Sequence, residues 1–233
     1  MTTLKSKSRN ATSEQQQRLD SLNHTGYWAS LDCLRDLFEP LYDIDALDGQ
    51  YVAEIGSSTG RIVNMLLDAG AAKVVAFESG KCFAALCDNI RRRSNRVIAV
   101  HAEGEAIREY TDLDFVCSIG ALSHRRDPQR IVKAGLSALK PGGKMLIWVY
   151  GHEGNELYLA LSEPLRKFTT KMSTSQLDIV ISLLLPLLLA YKTLCRFLPL
   201  PMRAYMLNHI ARLDKLQLRQ TIFEQLSPAC VHY

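Results

Sequence analysis

The sequence predicts a doubly wound α/β fold with a mostly parallel sheet, and three observations carry that prediction. Between residues 50 and 151, short apolar runs alternate with segments of helical periodicity. The runs are near-continuous rather than alternating, as in strands buried on both faces. Single helices separate successive strands, so the connections are crossovers and the strands parallel.

The elements follow in order. Residues 1–20 are rich in Ser, Thr, Gln and Lys and are expected to form a disordered tail. "YWASLDCLRDLFEPLY" has helical spacing closed by Pro40; Tyr27 and Trp28 at its start are expected to staple onto the core, the alternative being closure over a ligand. "QYVAEIG" is the first strand and "GRIVNMLLDAG" a helix ended by Gly70. "KVVAFES" and "GKCFAALCDNIRRR" are the next strand and helix, with the arginines at the solvated helix end. "RVIAVHA", a short helical "EGEAIREY" and the strand "LDFVCSIG" come next. "DPQRIVKAGLSALK" is a helix with Asp127 as cap and Pro128 in its first turn. "KPGG" turns the chain into a fifth strand, "KMLIWVYG". Residues 155–220 read as helical throughout. The expected division is a tail (1–20), a ligand-binding α/β domain (21–151) and a helical cap or substrate-side extension (152–233).

A chain of 233 residues with 47% apolar and 22% charged residues has the balance of an ordinary globular protein. Its net charge of +4, with no basic, aromatic-interleaved groove, excludes nucleic acid from the expected partners. Six scattered cysteines without C-x-x-C or paired histidine spacing argue against a metal site and a disulfide framework. They suit a reducing, cytoplasmic setting. The apolar stretch within "LDIVISLLLPLLLAYKTLCRFLPLP" is interrupted by Lys192 and Arg196 and contains Pro186. It is shorter than the roughly 20 residues of a bilayer span, so the expectation is a buried or interfacial helix pair, allowing peripheral membrane contact but no transmembrane span.

The first strand-to-helix turn, Gly56-Ser57-Ser58-Thr59-Gly60, faces the end of the sheet where ligands bind. Its middle serine breaks the dinucleotide fingerprint, which weakens a nicotinamide-dependent oxidoreductase as an alternative. Glu54 precedes the turn, Glu78 and Ser79 end the second strand, and Glu103 and Glu105 flank Gly104 after the third. Each of these acids alone also reads as a partner for a helix dipole. Together they suit a ligand with a sugar diol, an amine and positive charge, and suit a polyphosphate poorly.

"VAEIGSSTG", "VVAFES", "VHAEGEAI", "DFVCSIGALSHRRDP" and "ALKPGGKMLIWVYG" resemble, in order and spacing, the motifs of class I S-adenosylmethionine-dependent methyltransferases over residues 50–151. The resemblance implies a Rossmann-like methyltransferase fold and S-adenosylmethionine as cofactor. It implies that Glu54, Gly56, Ser57, Ser58 and Gly60 line the methionine portion, that Glu78 and Ser79 lie at the ribose, and that Glu103 and Gly104 lie at the adenine. Ser118, Ile119 and Gly120 would run beside the sulfonium. Methyl transfer then needs alignment of donor and acceptor, exclusion of water and, for a hydroxyl or amine acceptor, a base. His124 is the expected general base, its alternative being a pocket-lining or packing residue.

The apolar residues of 155–220 hint at a small hydrophobic acceptor, with a dimer face as the alternative. The family sheet has seven strands, and no strand pattern follows "RQTIFEQLSPACVHY". The last two strands are therefore expected to be missing, leaving an apolar fifth-strand edge that a homodimer would pair. The alternative function is a catalytically incompetent, cofactor-binding protein that works through a partner.

Overall fold

The computed structural model describes residues 26–122, 125, 127–149, 151, 156–169 and 171–226. His124 and the expected N-terminal tail lie outside the described residues. Those described fall into two compact units, one before and one after residue 150.

The first unit is a five-stranded parallel sheet in the order β3-β2-β1-β4-β5. Its strands are β1 (Tyr51–Ile55), β2 (Lys73–Phe77), β3 (Val97–Val100), β4 (Leu113–Ile119) and β5 (Leu139–Trp148). The helices are α1 (Leu31–Phe38), α2 (Arg61–Asp68), α3 (Phe83–Ile90) and α4 (Pro128–Ala138), with a 3-10 turn at Gly104–Glu109. The order reverses beside β1, so the turn leaving β1 stands at the topological switch point. One face of the sheet packs Val52, Val74, Phe115 and Cys117 against α1 and α2. The other packs Ala53, Val75 and Val116 against Ile107 and Ile131. Two-sided burial explains the continuous apolar runs of the central strands. The edge strands depart from it: Val97 is the one buried residue of β3 and Leu146 the one of β5.

Several elements differ locally from the expectation. The first helix is split, because the Ser30 hydroxyl accepts from Cys33 N (3.2 Å) and starts α1 there, leaving Gly26–Ala29 as a 3-10 turn. Helix α3 ends at Ile90 and Arg91–Arg93 tighten into a 3-10 turn, from which Arg93 pairs with Asp68 at 2.7 Å. "KPGG" is no simple turn. It bulges within β5, whose register on β4 jumps from Leu113↔Leu139 to Phe115↔Lys144. Gly142 takes φ +82 in that bulge, and Lys140 pairs there with Asp114, whose carboxyl also accepts from Tyr51 N (2.7 Å). These contacts hold the Asp114 carboxyl below the usual range.

Asp127 caps α4 as expected, its carboxylate accepting from Arg130 N at 3.3 Å. Asp127→Ala is expected to cost about 1 kcal/mol and to lower Tm by roughly 2–4 °C in a thermal melt.

The second unit is all helix among its described residues. It contains α5 (Glu156–Thr169), α6 (Thr174–Phe197), α7 (Arg203–Asn208) and α8 (Lys215–Leu226). "RQTIFEQL" therefore lies in α8. The expected helix pair over 177–201 is instead one helix, with Pro186, Lys192 and Arg196 all inside it. A capping box starts it, Ser173 Oγ accepting from Gln176 N while Ser173 N donates to Gln176 Oε1. By length and composition α6 could cross a membrane. Leu177 and Ile181 pack on Leu226, Ile222 and Phe223 of α8. Buried Arg166 ties α5 to α8, donating to the carbonyl and side chain of Gln225 at 2.9 and 2.6 Å.

Candidate functional site

The site is built at the carboxyl ends of β1, β2 and β4. Strand β1 delivers Glu54, paired in register with Ala76 and Cys117, into the interior. The chain then reverses through Gly56 (φ +82), Ser58 (φ +48) and Gly60 (φ +87) into α2. Left-handed backbone at Ser58 explains why the family turn favours glycine there: serine keeps the conformation at a cost of roughly 1–2 kcal/mol. At Gly56 nothing larger fits, since an added Cβ would stand 2.2 Å from Ala121 Cβ.

The turn's amides are largely engaged. Phe77 O accepts from Gly56 N and Ser57 N at 2.9 Å each, Ser57 O from Gly60 N at 2.8 Å, and Glu78 Oε2 from Ser58 N at 2.8 Å. Glu78 Oε1 accepts from Gly80 N at 2.6 Å. The carboxylate is thus fixed across the mouth of the turn, with further lone pairs on both oxygens for a diol.

Glu54 is 2% exposed and its Oε2 has no hydrogen-bond partner. Burial pushes its pKa up to about 7, with nearby Glu78 adding to the rise; Ser57, Arg61 and the Val63 amide in the first turn of α2 oppose it. In the unfolded chain the carboxyl titrates near 4.5. Between these values the unfolded chain has lost a proton that the folded chain retains, so stability falls as pH rises through that window. The whole shift corresponds to roughly 3 kcal/mol. Urea denaturation at pH 5 and pH 7 should show this loss in the native chain and a flatter response in Glu54→Gln.

The remaining expected site residues divide. Ser118 is fully buried and donates to Ile55 O at 3.0 Å, tying β4 to β1. Ile119 and Gly120 leave β4 partly exposed, with Gly120 at φ +71 and its N donating to Trp148 O at 2.8 Å. Gly104 is buried, and an added Cβ would meet Ile55 and Ile131 within 2.9 Å, so close packing accounts for this glycine. Exposed Glu103 pairs with Arg125 at 2.6 Å, and Arg125 also donates to Ser79 Oγ at 3.2 Å. Arg125 was not among the expected site residues. Its signal was a pair of arginines beside His124, in a segment leading away from an otherwise acidic site.

Residues 53–147 match the model of a family described as a methyltransferase domain. This stretch is similar to methyltransferase domains. The domain is 28% identical over 118 residues to a tRNA U34 carboxymethyltransferase of Idiomarina loihiensis, covering 48% of this chain and 36% of that one. The chain therefore spans about a third of the length of this curated relative. Solved structures with similar folds include a candidate S-adenosyl-L-methionine-dependent methyltransferase of Methanococcus maripaludis. It is 18% identical, with TM-score 0.49, over 65% of this chain and 69% of that one. The YcgJ protein of Bacillus subtilis is 17% identical, with TM-score 0.45 over 58% of each chain. Residues 151–226 lie outside the family match.

Proposed function

We propose that this chain is an S-adenosylmethionine-dependent methyltransferase acting on a small, apolar acceptor. The observation that carries the reading is the pair of carboxylates at the switch point: one pre-oriented by backbone amides, the other buried with an oxygen that has no partner. S-adenosylmethionine, when bound, supplies an electrophilic methyl group on a sulfonium. Glu78 would accept the ribose hydroxyls on lone pairs that Ser58 N and Gly80 N leave over. Glu54 would answer the positive end of the methionine portion, which gives its orphaned oxygen a partner. The turn from Gly56 to Gly60 sets the backbone close to the ligand through its left-handed residues, while Ser57 and Gly60 hold the turn's shape. Glu103, held by Arg125, would border the adenine side, with Ser79 beside it. Ile119 and Gly120 would flank the methyl group and keep water from it. A base for a hydroxyl or amine acceptor is assigned to His124.

A cationic ligand favours ionised Glu54, so binding releases a proton wherever Glu54 is protonated beforehand. Affinity should rise with pH up to about 7. Below that pH the calorimetric heat should depend on the buffer's ionisation enthalpy, and Glu54→Gln should remove both effects.

The five described cysteines are free thiols, which supports a reducing, cytoplasmic setting. The acceptor is tested by incubating the protein with methyl-tritiated cofactor and a cell extract. Label in organic-soluble small molecules supports the reading. Label in tRNA would move the acceptor to the chemistry named in the Idiomarina loihiensis relative. Cofactor binding without any labelled product would favour a catalytically incompetent protein that works through a partner.

A further inference from the structure

Helix α6 presents a face that nothing among the described residues of its own unit covers. Ile179, Leu183, Leu187, Leu194 and Phe197 are 63%, 65%, 65%, 48% and 80% exposed. They recur at helical spacing on one side, with Pro186 and Ala190 exposed between them. The stripe runs for roughly 27 Å at 1.5 Å per residue. It contains no charged residue. The opposite face is occupied, with Leu177, Ile181, Leu185 and Cys195 buried.

Charge separates the occupants that such a face could have. From Ile179 to Leu213 the sequence carries Lys192, Arg196, Arg203 and Arg212 and no Asp or Glu. A second copy placed on the stripe would bring two such acid-free segments together, which like-charge repulsion opposes. An anionic lipid surface offers hydrocarbon for the stripe, and its negative potential attracts Lys192 and Arg196 on the side of the helix opposite the stripe.

The far side of α6 also settles the orientation on a bilayer. Arg219 of α8 pairs with Asp178 at 3.1 Å and donates to Ser182 Oγ at 3.2 Å. Gln217 and Gln220 are buried in the same unit. A transbilayer α6 would carry these polar groups into hydrocarbon, whereas an in-plane helix leaves them on the aqueous side.

We propose that α6 docks this protein onto anionic membranes, lying in the interfacial plane with the Ile179–Phe197 face inserted. The surface would hold the chain where apolar acceptors concentrate, but the inference does not depend on methyl transfer and is tested without cofactor. The full chain is sedimented with phosphatidylcholine vesicles, with and without phosphatidylserine. Binding to the phosphatidylserine vesicles is expected, weakening several-fold between about 0.1 and about 0.5 M salt. Leu183→Asp combined with Leu187→Asp should lower partitioning at least ~10-fold while leaving the melting temperature unchanged, since both side chains are exposed. Lys192→Glu with Arg196→Glu should abolish the preference for phosphatidylserine. Absence of wild-type binding to either vesicle overturns the proposal, as does binding that the leucine pair does not alter. A wild-type dimer in light scattering, abolished by the leucine pair in a chain that ignores vesicles, assigns the face to a second copy instead.

Discussion

Gly56→Ala is expected to destabilise the α/β unit by about 3 kcal/mol, the sum of two separable costs. Left-handed backbone disfavours any L-residue by roughly 1–2 kcal/mol. The new methyl also enters space held by Ala121 Cβ, 2.2 Å from where it would sit. Overpacking of this kind costs roughly 1–3 kcal/mol. Ala121 has no longer arm to swing aside, so relief requires movement of the segment after β4 or of the turn itself. The melting temperature should fall by roughly 6–12 °C, at 2–4 °C per kcal/mol for a chain of this size. Ala121→Gly in the same chain removes the collision and leaves the backbone strain, so the double variant should recover about half of the loss. A Gly56→Ala chain that melts within a degree of the native protein would contradict the turn geometry.

Glu78→Ala is expected to behave in the opposite manner, with a small effect on stability and a large one on ligand binding. Its carboxylate accepts from Ser58 N and Gly80 N, both on exposed residues where water can replace it. The melting temperature should therefore change little. If the ribose diol donates to the same carboxylate, removal deletes two charge-assisted hydrogen bonds and releases the turn. Affinity for S-adenosylhomocysteine should fall by about 3 kcal/mol, roughly 100-fold. Glu78→Gln keeps one acceptor oxygen and should fall in between. Calorimetry and thermal melts on the three chains separate this reading from a merely structural role, which would move the melt and the affinity together.

The central sheet was legible because parallel strands between helices must be apolar on both faces, and Val52, Val74, Val75 and Phe115 write that directly into the chain. The helix start at Asp127 and the left-handed turn were legible for a local reason: short polar caps and glycines have few other uses there. Long-range features were not. The β5 bulge at "KPGG" depends on register against β4, which no local pattern encodes. Ser118 reads as a strand-end polar residue, yet its hydroxyl is consumed by Ile55 O across the sheet. Gly104 reads as room for a ligand, yet Ile55 and Ile131 fill that room. Arg125 acquires its role only when the chain after β4 meets the ends of β2 and β3. Helix α6 was foreshortened because Lys192, Arg196 and Pro186 look like terminators in sequence, whereas tertiary packing of Cys195 and Leu185 carries the helix through them.

The most direct test of the central claim is calorimetric titration of S-adenosylhomocysteine into the folded protein, with NAD as competitor and Glu78→Ala as control. Saturable single-site binding that NAD leaves unchanged and Glu78→Ala weakens by about two orders of magnitude is the expected result. Absence of binding by a correctly folded chain, or displacement of the ligand by NAD, would contradict the assignment of this site to S-adenosylmethionine.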